Sequence, residues 1–258
     1  MTKGPDSAVR RVMHEIKRRK LEVLRVTDLT PRMRRITVGG PELAGFLSLG
    51  SDDHIKLMFP RNAEEEAALH TMVLGRDNEG PKPAMRDYTP RRIDLEKGEL
   101  DIDFVIHGDG PASTWAEAAE PGHTLYIGGP RSSLIVDDVF DSYLLIGDET
   151  ALPAIGRRLE ELPANRQVLA VIEIEDEQER QPLLERPGIE VIWVPRHTQN
   201  LEAVVAGLTL PQGELYAWIA TEAALSRRLR RILLDQFELS EDAIKAAGYW
   251  RRDEDVPA

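Results

Sequence analysis

The stretch MRDYTPRRI, residues 85 to 93, concentrates side chains that can bind a ligand. Arg86, Tyr88, Thr89 and Arg91 fall within six residues. In one extended strand Arg86 and Tyr88 would share a face, because side chains alternate between the two faces, and Thr89 and Arg91 would share the other. A guanidinium suits phosphate and an aromatic face suits a flat ring. The rest of the chain must decide whether this predicted strand binds such a ligand.

A second stretch, FVIHGDGPASTWAEAA at residues 104 to 119, reads as a strand that turns into a helix. The strand ends at His107, glycines including Gly110 bend the chain, and Pro111 and Ser113 lie at the helix start. A helix start presents unpaired N–H groups and a partial positive charge, which suits a phosphate. An ordinary strand–turn–helix with Ser113 as a helix cap fits the local pattern as well.

A third stretch, LLIGDETALPA at residues 144 to 154, places Gly147 between a strand and a helix start. This is the geometry of a nucleotide site at the carboxyl end of a parallel sheet. The single glycine is not the GxGxxG pattern, so an ordinary strand-to-helix turn stays open as an alternative.

Short β-favouring runs must position the first two stretches. Six of them occupy about 110 residues from residue 21 onward, which predicts a small antiparallel barrel. Residues 61 to 84 interrupt the series with acidic, then glycine- and proline-rich sequence, and we interpret them as an insertion or mobile loop. Residues 8 to 19 are basic and predict either a short helix or a solvated arm.

The pattern changes after residue 138, where strands alternate with helices. Such alternation predicts a parallel sheet with helices on its faces. We therefore expect a β-barrel plus an α/β domain: residues 1–138, with 1–19 as the N-terminal arm or helix, and residues 139–258.

Composition excludes several classes of function. The net charge of −12 argues against nucleic acid or anionic membrane as partner, and no apolar run approaches a membrane span. The chain has no cysteine, so it forms no disulfide, thiolate or cysteine-held metal site. Its six histidines show no close paired spacing, and we expect no protein-bound metal. The N-terminus lacks the apolar core of a secretory signal, so we expect a cytoplasmic protein. We also expect a monomer.

Five motifs in this order resemble the siderophore-interacting proteins, a family of FAD-containing ferric-siderophore reductases within the ferredoxin reductase superfamily. The resemblance covers about residues 20 to 252. The motifs are RDYTPR, DFVIHGDGPASTWA, GGPRSS, GDETALPAIGRRLEELP and the terminal GYWRR.

The resemblance implies an FAD site in the barrel. Arg86 would neutralise a pyrophosphate charge, Tyr88 would lie against the flavin or its ribityl chain, and Thr89 would hydrogen-bond near the flavin N5. The diphosphate and adenosine would be held by His107, Gly110, Pro111, Ala112, Ser113 and Trp115. Trp115 equally fits a core-packing role. Thr150 and Ala151 would lie near the flavin, where the nicotinamide must also arrive.

The nicotinamide coenzyme, NADH or NADPH, would contact Gly147, Asp148 and Glu222. The chain has Ala220-Thr221-Glu222 where family members commonly show Gly-Glu. The predicted strand VLAVIEIED ends in the acids Glu173, Glu175 and Asp176. An acid at such a strand end can bind a ribose diol and repel a 2′-phosphate, which favours NADH, although a solvated acidic turn fits equally.

The resemblance also implies a ferric siderophore as substrate, held by a small basic cluster. The matching cations are Lys56, Arg131 and Arg251 or Arg252, which we expect to converge at the flavin site. Each alone also fits a solvated surface residue, and Ser132 replaces a glycine common in the family. The sequence therefore predicts an FAD-dependent reductase transferring electrons from NAD(P)H to ferric siderophores. A general flavin or ferric reductase and a siderophore-binding protein with little turnover are the alternatives.

Overall fold

The computed structural model describes residues 8–74, 80–108 and 110–252. These residues form two compact units. One, the barrel unit, comprises residues 11–135; the other, the α/β unit, comprises residues from 136 onward together with residues 8–10. The observed division thus falls three residues before the predicted boundary.

The barrel unit is built on a seven-stranded antiparallel sheet in the order β5-β4-β8-β2-β3-β7-β6. Its strands are β2 (Arg18–Thr30), β3 (Met33–Gly39), β4 (Ile55–Phe59), β5 (Ala84–Tyr88), β6 (Pro90–Asp94), β7 (Glu99–Val105) and β8 (Thr124–Gly128). Helices α1 (Ala63–Thr71) and α2 (Pro111–Glu117) accompany it, and β1 (Val9–Met13) pairs with β9 (Ser132–Val136) in a separate two-stranded sheet.

Strict alternation in β7 explains how the sheet separates core from surface. Leu100, Ile102 and Phe104 are fully buried in the apolar core. The intervening Asp101 and Asp103 accept hydrogen bonds from arginines on neighbouring strands, Arg92 at 2.6 Å and Arg35 at 2.7 Å. The polar face of this sheet is therefore covered by paired charges, which keeps the buried carboxylates satisfied.

The predicted single strand through residues 85 to 93 is wrong. β5 ends at Tyr88 and β6 begins at Pro90. Proline cannot donate a ladder hydrogen bond and therefore favours a strand start. β5 and β6 are the two edges of the sheet, yet the single residue Thr89 connects them. The sheet must therefore curve into an open barrel. The antiparallel barrel is confirmed, with one strand more than predicted.

Two local predictions need correction. Residues 8 to 19 contain no helix, since β1 and the start of β2 occupy most of them. Within residues 61 to 84, α1 is an ordered helix capped by Asn62, whose side chain accepts the Glu65 N–H at 2.9 Å. The acidic run that suggested a loop is the first turn of this helix, where carboxylates are favoured by the helix dipole. Residues 75–79 of the predicted loop lie outside the described residues.

The α/β unit confirms the predicted parallel sheet, in the order β12-β11-β10-β13-β14. The strands are β10 (Ser142–Gly147), β11 (Gln167–Ile174), β12 (Ile189–Pro195), β13 (Leu215–Glu222) and β14 (Ile244–Trp250). The helices are α3 (Leu152–Glu161), α4 (Leu201–Ala206) and α5 (Ala223–Asp235). The strand order reverses between β10 and β13, and nucleotides bind at such a switch point, at the carboxyl ends of the strands. In the described parts of the chain, no helix is both long and apolar enough to span a membrane.

Candidate active site

Aromatic packing fixes the end of β5. The Tyr88 ring lies 4.6 Å from the Phe104 ring, measured between centroids, and Phe104 lies 5.6 Å from Trp115. Trp115 also contacts Phe59 at 5.8 Å. Tyr88 and α2 are therefore held by one row of rings in the barrel unit. This row gives Trp115 the packing role that its sequence context left open.

Arg86 is more exposed than Tyr88 and Thr89, which follow it in the chain. Its guanidinium is exposed, donates to the carbonyl oxygen of Met85 at 2.8 Å, and pairs with no carboxylate among the described residues. Burial raises the pKa of the Tyr88 phenol, and the charge of Arg86 opposes this rise without cancelling it. Thr89, in contrast, is buried. The site thus offers an available cation beside a neutral, half-buried ring.

The start of α2 is organised by Ser113. Its buried hydroxyl accepts the backbone N–H of His107 at 3.1 Å and donates to Glu117 at 3.3 Å. Gly110, at φ 91°, lets the chain enter the helix at Pro111. The Ser113 side chain is thus engaged within the protein, so any contact with a phosphate would use its backbone N–H. Asp109 lies outside the described residues.

Lys56 lies on β4, next to the strand β5 that carries Arg86. Its ammonium is 2.8 and 3.1 Å from the two carboxylate oxygens of Asp87, its direct partner across β4 and β5. On its other side Lys56 is paired with Gly128 of β8, three residues before the exposed Arg131. The barrel unit therefore brings Lys56 beside the strand of Arg86. Asp87 was missed, because only the strand register identifies it as the partner of Lys56.

In the α/β unit, Gly147 permits a close turn at the end of β10. A Cβ atom at this position would lie 2.5 Å from Ala151 Cβ and 3.0 Å from Ile155 Cδ1. Only glycine therefore allows α3 to begin so near the strand. The turn brings Thr150 and Ala151 to the carboxyl edge of the sheet.

Asp148 follows immediately and is a buried internal acceptor. Its carboxylate accepts the Thr150 N–H at 2.9 Å, the Thr150 hydroxyl at 2.5 Å and the Trp250 indole N–H at 2.8 Å. Burial raises the pKa of Asp148 above its ordinary value, although these hydrogen bonds lower it in part. Asp148 thereby ties the end of β14, which carries the exposed Arg251 and Arg252, to the switch point.

Glu222 is the N-cap of α5. One carboxylate oxygen accepts the Ala224 N–H at 2.8 Å, and the other accepts the Leu225 N–H at 2.9 Å. Burial alone would raise the pKa of Glu222, but these hydrogen bonds and the charges of Arg252 and Arg228 lower it. The carboxylate predicted to contact nicotinamide is thus already used to hold the helix.

Sequence reasoning missed Arg196, which directly follows β12. Its guanidinium lies 2.7 Å from Glu149, 2.6 Å from Glu175 and 3.3 Å from Glu173. Burial raises the pKa of Glu149 and of Glu173, and Arg196 opposes both shifts. The rule that drew attention to acids at the end of β11 applies equally to the end of β12 and could have found Arg196. Within the described ranges, no group of three or more His, Asp or Glu side chains could hold a metal ion.

Two family models match the chain consecutively. The siderophore-interacting FAD-binding domain matches residues 22–134, and the siderophore-interacting protein model matches residues 140–253. The chain belongs to the siderophore-interacting protein family. Its predicted FAD-binding residues, apart from Thr150 and Ala151, fall within the first match, and its predicted nicotinamide-binding residues fall within the second.

Two of the relatives that cover most of the chain carry names that specify reductases. The chain is 36% identical to the NADPH-dependent ferric-chelate reductase of Escherichia coli over 248 residues, covering 93% of this chain and 95% of the relative. It is 30% identical over 244 residues to the ferric vibriobactin reductase ViuB of Vibrio cholerae, covering 91% and 89%. Among solved structures, a siderophore utilization protein from T. fusca matches with a TM-score of 0.84 and 36% identity, covering 95% and 97% of the two chains.

Proposed function

We propose that the protein is an FAD-dependent reductase that transfers electrons from NADH or NADPH to ferric siderophores and releases Fe(II). The observation that carries this proposal is the match of both family models along the chain, with the FAD-binding model spanning Arg86, Tyr88 and the start of α2. The names of the Escherichia coli and Vibrio cholerae relatives support the same reaction class.

The residues of the barrel unit fit FAD. Arg86 offers the pyrophosphate a guanidinium that pairs with no carboxylate among the described residues, and Tyr88 offers a neutral aromatic ring for the flavin side. We propose Thr89 near the flavin N5, and His107 with Gly110–Ser113 at the diphosphate and adenosine. FAD held by these residues would supply the exchange between a two-electron hydride donor and a one-electron acceptor such as Fe(III).

The α/β unit fits a nicotinamide coenzyme at the switch point between β10 and β13. We propose that Gly147, Thr150 and Ala151 lie against the nicotinamide side. Asp148 and Glu222 are proposed to support this edge by holding Trp250 and the start of α5, because their carboxylates are occupied.

Substrate binding requires local cations, since a protein of net charge −12 repels an anionic iron chelate. We propose Lys56, Arg131, Arg251 and Arg252 for this role. Hard oxygen donors hold Fe(III) more tightly than Fe(II), so reduction itself loosens the iron. No general acid, base or nucleophile is needed at the metal. We further propose a cytoplasmic location, since a chain without cysteine suits a reducing compartment, and a monomeric state.

A stepwise anaerobic titration tests the proposal. The purified protein should show a flavin spectrum, which NADH or NADPH should bleach. A ferric siderophore added next should restore the oxidised spectrum while a ferrous-specific chelator records Fe(II). A protein that fails to bind added FAD would refute the flavoenzyme. Bleaching without re-oxidation by any ferric siderophore, but with turnover of free flavins or simple ferric salts, would favour a general reductase.

A further inference from the structure

Trp250, the last residue of β14, is an aromatic side chain on the surface of the α/β unit. All phenylalanine, tyrosine and tryptophan residues lie within the described ranges, and among them Trp250 alone is exposed, at 38%. Aromatic side chains stabilise a fold mainly through burial, so an indole in contact with water forgoes part of that contribution. Tryptophan is also among the residue types most enriched where binding energy is concentrated. Its position therefore points to a role outside the core.

The local backbone at the end of β14 directs this side chain. The pairing of β13 with β14 skips Tyr249, so that Trp250 lies opposite Glu222. The Tyr249 ring instead packs edge-on against the buried Trp218, with the ring centroids 6.1 Å apart. An extra residue in a strand, a β-bulge, changes the direction of the side chains beside it. The bulge thus separates a tyrosine that packs inside the unit from a tryptophan that faces solvent.

A buried carboxylate fixes the indole. The Trp250 N–H donates to Asp148 Oδ2 at 2.8 Å, and Asp148 is only 1% exposed. The other oxygen, Oδ1, accepts both the N–H and the hydroxyl of Thr150. Asp148 therefore cannot turn away from the indole without losing these hydrogen bonds as well. An exposed ring with a fixed orientation loses little conformational entropy when a ligand packs against it.

Two cations follow the ring directly. Arg251 and Arg252 are both exposed. Arg252 acts electrostatically on Glu222 and on Glu173, whereas Arg251 pairs with no carboxylate among the described residues. Arg251 is thus the cation beside Trp250 with the most charge available to a ligand. An aromatic face next to such a cation fits a ligand that is both aromatic and anionic.

Among iron chelators, catecholates have this combination of properties. Their negative charge lies on oxygen atoms attached directly to an aromatic ring. Hydroxamates carry their oxygen donors on an aliphatic chain and offer no ring for packing. A tris-catecholate chelate of Fe(III) exposes the faces of its rings and carries several negative charges.

We propose that Trp250 and Arg251 form a subsite for the aromatic rings of catecholate siderophores, which makes the protein prefer catecholate over hydroxamate chelates. The subsite rests on the proposed function, because it binds the ferric substrate of that reaction. Trp250 packs against a catecholate ring, and Arg251 meets the negative charge of its oxygens. Asp148 is a positioning residue that holds the indole in place.

Binding of gallium(III) chelates to the FAD-loaded protein tests the subsite without electron transfer, since Ga(III) replaces Fe(III) in these chelates but is not reduced by flavin. Calorimetric titration should show tighter binding of a gallium tris-catecholate than of a gallium trihydroxamate. Trp250→Leu should weaken catecholate binding about threefold to tenfold and leave hydroxamate binding unchanged. This loss should persist at high salt, whereas Arg251→Gln should weaken catecholate binding only at low salt.

Two further variants serve as controls. Trp193→Leu makes the same change on β12, at the opposite edge of the parallel sheet, and should leave both affinities unchanged. Trp250→Phe keeps a ring but loses the N–H that donates to Asp148, so it should retain part of the preference for catecholate. Melting curves of all variants check folding. The rate at which NADH or NADPH reduces the flavin should change less than about twofold in Trp250→Leu.

The outcomes separate the subsite from the general function. Unchanged catecholate binding by a folded Trp250→Leu protein would overturn the subsite and leave the proposed reductase intact. Equal losses for both chelates would also overturn it, because the ring would then make no distinction between them. A loss confined to flavin reduction by the coenzyme would assign the ring to the coenzyme instead. If the unmodified protein binds neither chelate and no ferric siderophore re-oxidises its flavin, the proposed function itself is refuted.

Discussion

Glu222 offers a sharp test because two roles compete for its carboxylate. Its sequence position suggested a nicotinamide contact, whereas the structure uses both oxygens to cap α5. We predict that Glu222→Ala mainly destabilises the α/β unit. Losing an N-cap costs about 0.5–2 kcal/mol, and hydrogen bonds to a charged acceptor lie toward the upper end, so we expect a loss of about 2 kcal/mol.

That loss corresponds to a decrease in melting temperature of about 4–8 °C for a chain of this size class. Glu222→Gln keeps an oxygen acceptor but loses the charge, and should lose roughly half as much. Glu202→Ala is the matched control, since Glu202 lies in the first turn of α4 and pairs with Arg228 near the surface at 2.9 Å. Its loss should be below about 1 kcal/mol.

The pH dependence supplies an independent check. The pKa of Glu222 is lowered in the folded protein. Its stabilising contribution is therefore fully present above the unfolded-state pKa of about 4.3, and it is lost as the pH falls through the folded-state pKa. The stability difference between the unmodified protein and Glu222→Gln should shrink below about pH 4.

Differential scanning fluorimetry and chemical denaturation at several pH values measure these effects, and calorimetry at a temperature below the transition measures affinity for NAD⁺. We expect affinity to change less than about threefold, which is under 1 kcal/mol. An unchanged melting temperature combined with a large loss of NAD⁺ affinity would refute the cap and restore Glu222 as a direct coenzyme contact.

Two further predictions concern the barrel unit and the substrate. Arg86→Ala should weaken FAD retention about tenfold or more, because a charge-assisted contact is worth roughly 1.5–3 kcal/mol. The control Lys97→Ala, at the exposed β6–β7 turn, should retain FAD as the unmodified protein does. Equal FAD content of the two variants after dialysis would contradict the role of Arg86. Replacing Lys56, Arg131, Arg251 or Arg252 by Gln should raise the KM for a ferric tris-catecholate chelate at low salt. The reason is that one charge ~7 Å away contributes roughly 2 kcal/mol at an effective dielectric near 20. The KM for a neutral hydroxamate chelate should not change. If all four replacements leave the catecholate KM unchanged, the basic residues do not bind the substrate.

The sequence predicted elements whose signals are local. Alternation in residues 99–105 predicts a half-buried strand, and the segment TALPAIGRRLEELP predicts a helix that a proline ends, as observed for residues 152–161. The possible helix over residues 8 to 19 was a wrong prediction, because β1 is stabilised by pairing with β9, more than a hundred residues away. The break at Thr89 was missed for the same reason: strand edges depend on partners, which the local sequence does not specify.

The candidate site shows the same division between local and distant information. Residue type and position suggested ligand contacts for Arg86, Lys56 and Glu222. The charge partner of Lys56 comes from another strand, however, and the carboxylate of Glu222 is used by the backbone of the helix that follows it. Lys56 is neutralised in part by Asp87, and Glu222 is occupied by backbone N–H groups. Arg196 was not identified, because its three carboxylate partners come from two other strand ends.

These pairings rank the cations that can attract an anionic substrate. Arg131 and Arg251 are exposed and pair with no carboxylate among the described residues, whereas Lys56 lies 2.8 Å from Asp87 and Arg252 acts on Glu173 and Glu222. An already paired cation presents less charge to a ligand. Arg131→Gln should therefore raise the KM for a catecholate chelate more than Lys56→Gln does. Asp87→Asn, which frees Lys56, should lower that KM, and a KM raised by Asp87→Asn would show that the ion pair itself holds Lys56 in the orientation that binds substrate.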